Sequence, residues 1–303
     1  SYDEAYGIAL DPDGNTLVTG CFIGSATFGA GESNETTLHI DVGAPGSRGM
    51  FIAKYGPSGS LSWAKQAGGA GHDIGYQVTA DALGNGLVTG YFSDIATFGA
   101  GEANETSLTA AGEGDIFIAK YAPTGLLEWA TAAGSVVQDI GVSIAADAAG
   151  SALVTGYFGN SADPGTYSAV FGAGESNETI LAAVGVEDLF VAKYAPDGTL
   201  VWVISAGGDS SEFGAGVRVD GAGSILITGS FAGSATFGAG EINETTLTSW
   251  GEDDIFLAWY APDGTLVRAT SAGGEMSDIS SGIAVDAAGD AFVTGFFADI
   301  AVF

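Results

Sequence analysis

The stretch DIFIAKYAPTGLLEWATAAG, residues 115–134, decides how the rest of the chain is read. Its first run places Phe117, Ala119 and Tyr121 on one face at a period of two, the spacing of a strand rather than a helix. A Pro-x-Gly turn follows, and the run LEWA comes after it. The counterpart turn APDGT at 195–199 has Pro to preset φ and Gly to accept a positive φ, the chemistry of a type I turn followed by a bulge. The two runs therefore form a β-hairpin.

Working outward, the same hairpin is written again as MFIAKY with LSWA, LFVAKY with LVWV, and IFLAWY with LVRA. Ahead of each stands another pair of runs. One ends in Asp (IALD, VTAD, IAAD, VRVD, IAVD), and a D-x-x-G turn leads to the other (LVTGCF, LVTGYF, LVTGYF, LITGSF, FVTGFF). The V/I-T-G triplet ends at Gly20, Gly90, Gly156, Gly229 and Gly295, with spacings of 70, 66, 73 and 66 residues. An insertion around NSADPGTYSAV accounts for the 73. The runs are short, rich in Val, Ile, Phe, Tyr, Thr and Trp, and bounded by Gly, Pro and Asp, so they read as strands. No stretch shows a convincing helical period.

Four short strands recurring about every 70 residues predict an all-β, β-propeller-like array with one four-stranded sheet per repeat. A sandwich or a β-solenoid is the alternative. The whole chain reads as one domain, 1–303, in units 1–70, 71–134, 135–208, 209–274 and the half unit 275–303. The first strand pair occurs five times and the second pair four times. The half unit predicts one of three things: a longer array, a last sheet completed by another chain, or a ring closed by an incomplete blade.

The pattern GIAVDAAGDAFVTGFF … DIFLAWYAPDGTLVRATSAGG resembles the SBBP-type β-propeller repeat of secreted and surface proteins of bacteria and archaea. The likeness covers essentially the whole chain. It rests on V-T-G, D-I-F-x-A-K-Y and W-A-x-x-A-G-G at fixed offsets. The resemblance implies a propeller, usually of seven blades, a number from which this chain departs. It implies no catalytic residues.

Composition bounds the function. Gly is 50 of 303 residues, well above twice the ordinary share, as many turns require. The net charge of −30 arises mainly from scarcity of cations, 7 Lys+Arg against 37 Asp+Glu. Such a surface repels nucleic acid and anionic membrane, both of which need basic residues. Cys21 is the sole cysteine, its position is held elsewhere by Tyr91, Tyr157, Ser230 and Phe296, and it reads as a packed thiol. No apolar run is long enough to cross a membrane as a helix. The chain opens on Ser without an export leader pattern, which reads as a mature product or a fragment.

Between the two strand pairs lies a phrase repeated four times: FGAGESNETTL at 28, FGAGEANETSL at 98, FGAGESNETIL at 171 and FGAGEINETTL at 237. It carries Asn-Glu-Thr acceptor triplets for N-glycosylation at Asn34, Asn104, Asn177 and Asn243, expected on a surface loop of an exported protein. Simple inheritance of one duplicated loop explains the same letters. A recurrent acid eight residues before each strand-ending Asp, namely Asp3, Asp73, Asp139, Glu212 and Asp278, is a candidate cation-site set, for which calcium is the fitting ion. Structural bonding to a neighbouring repeat is the equal alternative. The strand-ending acids Asp11, Asp81, Asp147, Asp220 and Asp286 are expected to bond their own turns.

Lys54, Lys120 and Lys193 stand across the hairpin from Trp63, Trp129 and Trp202, with the residue types exchanged at Trp259 and Arg268. A bulged turn is expected to put Tyr194 and Trp202 on one face and Lys193 on the other. A tighter turn would face cation and ring. His39 and His72 are unrepeated, and no G-x-S-x-G, His-Cys cluster or P-loop is present. The reading is a non-enzymatic extracellular or cell-surface structural and interaction protein, a sheath or filament component displaying repeated loops. Its expected partners are other copies of itself, further repeats of the same chain, and glycans. A carbohydrate-binding propeller using Trp and Asp is the runner-up, and a hydrolase the third reading.

Overall fold

The computed structural model describes residues 3–40, 46–159 and 167–302. It is all-β, with no helix among the described residues. The first repeat consists of β1 (Glu4–Leu10), β2 (Thr16–Phe22), β3 (Ser25–Phe28), β4 (Thr36–His39), β5 (Gly49–Tyr55) and β6 (Leu61–Ala67). The second has β7 (Asp73–Ala80), β8 (Gly86–Phe92), β9 (Ile95–Phe98), β10 (Thr106–Thr109), β11 (Asp115–Tyr121) and β12 (Leu127–Ala133). The third has β13 (Ile140–Ala146), β14 (Ala152–Gly159), β15 (Ser168–Phe171), β16 (Thr179–Ala182), β17 (Glu187–Tyr194) and β18 (Leu200–Gly208). In the fourth, β19 (Glu212–Val219), β20 (Ile225–Phe237), β21 (Thr245–Tyr260) and β22 (Leu266–Gly274) suffice, because β20 and β21 run on through the positions of the small strands. The last residues form β23 (Ile279–Val285), β24 (Ala291–Phe296) and β25 (Ala301–Val302).

By compactness the chain divides into two parts, Ser1–Ala152 with Ala195–Thr199, and Leu153–Tyr194 with Leu200–Phe303. The division falls inside the third repeat. The first part holds antiparallel sheets ordered β1-β2-β5-β6 and β7-β8-β11-β12, with β13 against β7 and β8. The second holds β14-β17-β18, then β19-β20-β21-β22, then the pair β23-β24. In the first, second and fourth repeats the two expected hairpins are thus joined edge to edge through their inner strands. The small strands β3–β4, β9–β10 and β15–β16 form a third, two-stranded ribbon that sequence reading took as loop. They are short and rich in Thr, Ser and Ala, so their pattern carries no hydrophobic signal. The insertion expected around NSADPGTYSAV lies largely outside the described residues.

The V-T-G triplet packs neighbouring sheets. Thr19, Thr89, Thr155 and Thr228 are fully buried and donate Oγ1 to Phe51, Phe117, Phe190 and Phe256 carbonyls at 2.7–2.8 Å. The following repeat lays Gly75, Gly141 or Gly214 on the threonine of the one before, where a Cβ would come within 2.1–2.3 Å of Oγ1. The triplet's own glycine is as constrained. A Cβ on Gly90 would sit 1.9 Å from the Ile74 carbonyl oxygen. Inside each sheet Phe28, Phe98, Phe171 and Phe237 stack on Phe51, Phe117, Phe190 and Phe256 with centroids 4.9–5.1 Å apart. Burial of aromatics of this size dominates the core energy. Cys21 is wholly buried, and burial pushes its thiol up.

Candidate functional site

The repeated phrase is built as a clip on the outer strand of each sheet. Phe98 anchors it in the core, and Gly99 and Gly101 take φ of 61° and 78° to turn the chain. Glu102 Oε2 then accepts from Leu127 N at 2.7 Å, while Asn104 Nδ2 donates to the Leu127 and Glu128 carbonyls at 3.1 and 3.2 Å. Glu105 Oε2 accepts from Gly101 N at 2.6 Å, and Thr106 Oγ1 donates to Asn104 O at 3.0 Å. The same bonds recur on Leu61, Leu200 and Leu266, from Glu32 and Asn34, Glu175 and Asn177, and Glu241 and Asn243. The first residue of β6, β12, β18 or β22 is a buried leucine whose backbone N–H and C=O, at the outer edge of the sheet, are bonded by the clip. Unpaired edge groups invite another strand, and the clip satisfies both. Asn34, Asn104, Asn177 and Asn243 are exposed as expected, yet the amide nitrogen that a glycan would modify is a donor in every copy.

From the second repeat on, each hairpin turn holds a tryptophan of the preceding repeat. Trp63 Nε1 donates to Pro123 O at 2.9 Å, Trp129 to Pro196 O at 2.9 Å and Trp202 to Pro262 O at 3.3 Å. The turn glycines Gly125, Gly198 and Gly264 lie on the indole faces. Lys54 pairs directly with Trp63, Lys120 with Trp129, Lys193 with Trp202 and Trp259 with Arg268. This corrects the expected faces. The Gly bulge of the turn is present, but a second register shift follows at once, between Lys193 and Tyr194 opposite Trp202 and Leu200. The two shifts cancel and bring cation and ring together. Arg268 Cζ sits 3.7 Å over the Trp259 ring, a cation–π contact.

Lys54 Nζ lies 2.7 Å from Asp11 Oδ2 and Lys120 Nζ 3.1 Å from Asp81 Oδ2, all buried. Asp11, Asp81, Asp147, Asp220 and Asp286 accept from their own turn N–H groups, as read from the sequence. Burial alone would raise the Asp11 carboxyl. The Lys54 and Asn15 bonds outweigh it and hold the group at about 2.

Of the candidate cation set, Asp3 is exposed and bonds Ile23 N, whereas Asp73, Asp139, Glu212 and Asp278 are buried at repeat junctions. Backbone bonds Asp73 N to Arg48 O, Asp139 N to Gly114 O and Asp278 N to Asp253 O tie each one to the preceding repeat. Burial pushes Asp73 up to about 7 and Glu212 to about 8, the latter also raised by the charges of Asp188 and Asp209. Sequence reasoning missed their companions Asp115, Asp188 and Asp254, equally buried in the third strand of each repeat. The signal was present: the acid recurs in DIFIAKY, DLFVAKY and DIFLAWY, while Gly49 stands there in the first repeat. Among the described residues no three His, Cys, Asp or Glu side chains form a preformed metal cluster.

The remaining feature is an open strand edge. β2 pairs with β1 and β5, β8 with β7 and β11, and β20 with β19 and β21, but among the described residues β24 pairs with β23 alone. Leu17, Leu87, Leu153 and Leu226 are wholly buried, and their counterpart Phe292 is 58 % exposed. Phe22, Phe92, Phe158 and Phe231 are wholly buried, and their counterpart Phe297 is 57 % exposed. A cavity of about 530 Å³ opens beside this edge, lined by Ile255, Leu257, Ala272, Val293, Phe296 and Phe297 among others.

No protein-family model matches the chain. It is similar to an uncharacterized WD repeat-containing protein, L264, of Acanthamoeba polyphaga mimivirus, 25 % identical over 347 aligned positions that cover 99 % of this chain and 25 % of the relative. The chain thus spans about a quarter of that protein's length. With the all-β repeat of four-stranded antiparallel sheets, this likeness identifies the fold as a β-propeller-like repeat array.

Proposed function

We propose that this protein is a non-enzymatic interaction module of the SBBP-like repeat type, working in an extracellular or cell-surface setting. Its working surface is the edge of β24. The occupant we assign to it is a third-and-fourth-strand hairpin of the same repeat, supplied either by further repeats of the same chain or by another copy of it. The observation that carries this is the contrast between exposed Phe292 and Phe297 and their wholly buried counterparts, which the hairpin covers in every other repeat. An edge with free N–H and C=O groups beside an apolar cavity accepts a strand by augmentation. The exposed Asn-Glu-Thr loops and the cation-poor surface support the setting. The tryptophans and strand-ending aspartates of the carbohydrate-binding alternative are engaged in turn and staple bonds, so no observation favours it.

The test compares residues 1–303 with the same chain extended by a copy of Gly99–Gly134, the segment that follows the counterpart phenylalanine in the second repeat. Light scattering at rising concentration should show the shorter chain self-associating and the extended chain monomeric. Amides of 291–297 should become protected in the extended chain. A shorter chain that stays monomeric with those amides already protected overturns the proposal.

A further inference from the structure

Two repeat junctions in the second compact part each bury a pair of carboxylates. One member stands at the head of the first strand of a repeat, Glu212 at the start of β19 or Asp278 just ahead of β23. The other lies in the third strand of the repeat before it, Asp188 in β17 or Asp254 in β21. A backbone N–H fixes one oxygen of three of them, Gly208 N on Glu212 Oε2 at 2.9 Å, Trp250 N on Asp254 Oδ2 at 3.1 Å and Ala298 N on Asp278 Oδ1 at 3.1 Å, while Asp188 accepts at both oxygens, from Val184 N at 2.9 Å and Gly185 N at 3.4 Å. The second oxygens, Glu212 Oε1, Asp254 Oδ1 and Asp278 Oδ2, are buried and have no hydrogen-bond partner. A buried carboxylate oxygen without a partner is costly and calls for a ligand.

The surroundings favour a cation. Asp278 N donates to the Asp253 carbonyl at 2.6 Å and Glu187 bridges Ser211, so the first-strand acid of one repeat lies beside the third-strand acid of the repeat before it. The nearby acids Asp278 and Asp253 help push Asp254 up, and Asp188 and Asp209 help push Glu212 up. A cavity of about 120 Å³ opens beside Asp254, walled by Trp250, Ser271 and Gly273, and one of about 430 Å³ opens beside Asp188 and Asp209. Glycine keeps both clear. A Cβ on Gly273 would lie 2.3 Å from Asp254 Oδ1, and one on Gly207 2.5 Å from Asp188 Oδ1. One shared proton neutralises one carboxylate of a pair; a divalent ion neutralises both.

We propose that the Asp254–Asp278 pair, and by repetition Asp188–Glu212, binds a divalent cation of the calcium class, the two carboxylates supplying the charged ligands and water and backbone carbonyls the rest. In the first repeat Gly49 replaces the third-strand acid, so Asp73, whose Oδ1 is likewise buried without a hydrogen-bond partner, lacks the second carboxylate across the junction and forms no such site.

The experiment uses the 303-residue chain stripped with chelator and titrated with terbium, whose emission Trp250 beside Asp254 would sensitise. Saturable emission displaced by calcium is expected. Asp254→Asn and Asp278→Asn should each weaken binding at least about tenfold, as loss of a metal ligand does. Trp250→Phe should dim the emission while calorimetric affinity stays the same. Calcium should raise the melting temperature of the wild type, and the gain should vanish in the two Asn variants. Circular dichroism establishes that the variants fold. Emission that never saturates overturns the proposal, as does wild-type melting indifferent to calcium. So does unchanged affinity in both Asn variants.

Discussion

Replacing Asn104 by Asp tests whether the repeated phrase is kept for its hydrogen bonds. The two side chains are nearly the same size, so packing is preserved. The amide donates to the Leu127 and Glu128 carbonyls at 3.1 and 3.2 Å. Each such bond is worth a net ~0.5–1.5 kcal/mol, so their loss costs about 1–2 kcal/mol. A carboxylate in the same place also faces two carbonyl oxygens and stands near Glu102, which adds roughly 1 kcal/mol. The expected destabilisation is about 2–3 kcal/mol, or a fall in Tm of roughly 5–10 °C for a compact part of this size. Thr106→Val erases the same glycosylation triplet but removes only the half-exposed bond to Asn104 O at 3.0 Å. It should cost about 0.5 kcal/mol. Urea unfolding of both variants, made in a host without glycosylation, separates the two. If Asn104→Asp lies within about 0.5 kcal/mol of wild type, or if the two variants cost the same, the clip is not what holds the outer strand.

Gly90→Ala should fail to give folded protein or cost more than about 3 kcal/mol, since its Cβ would stand 1.9 Å from Ile74 O and 2.8 Å from the Phe117 ring; wild-type-like melting by circular dichroism would refute the packing described. Stability should fall as pH rises from about 4 to about 7, because burial, aided by Asp94, raises Asp73 from 3.8 to about 7. The unfolded chain releases this proton first, so the folded state is penalised progressively through that window, by at most ~4 kcal/mol. Asp73→Asn should flatten that part of the pH profile, and an unchanged slope would show that Asp73 is not the group responsible.

The repeat, its strands and its turns follow from the sequence alone, because alternation at period two, Pro-x-Gly and D-x-x-G are local codes that each segment carries within itself. Turn bonding by Asp11, Asp81 and their equivalents is local too, spanning four residues. The small strands β9 and β10 were invisible because Thr and Ser give no apolar period. What the phrase FGAGExNET does could be settled only in three dimensions. Its Glu and Asn act on a leucine 23 to 29 residues further along the chain, and only folding brings that leucine's backbone within 3 Å or so. The Lys–Trp pairing was misread for a related reason. Whether one bulge or two separates the turn from Trp202 depends on how the strand meets its neighbours, not on the turn residues. The acids divide the same way. Recurrence marked Glu212 and Asp278 in the sequence, but their pairing with Asp188 and Asp254 joins strands of successive repeats, a proximity that tertiary packing alone creates.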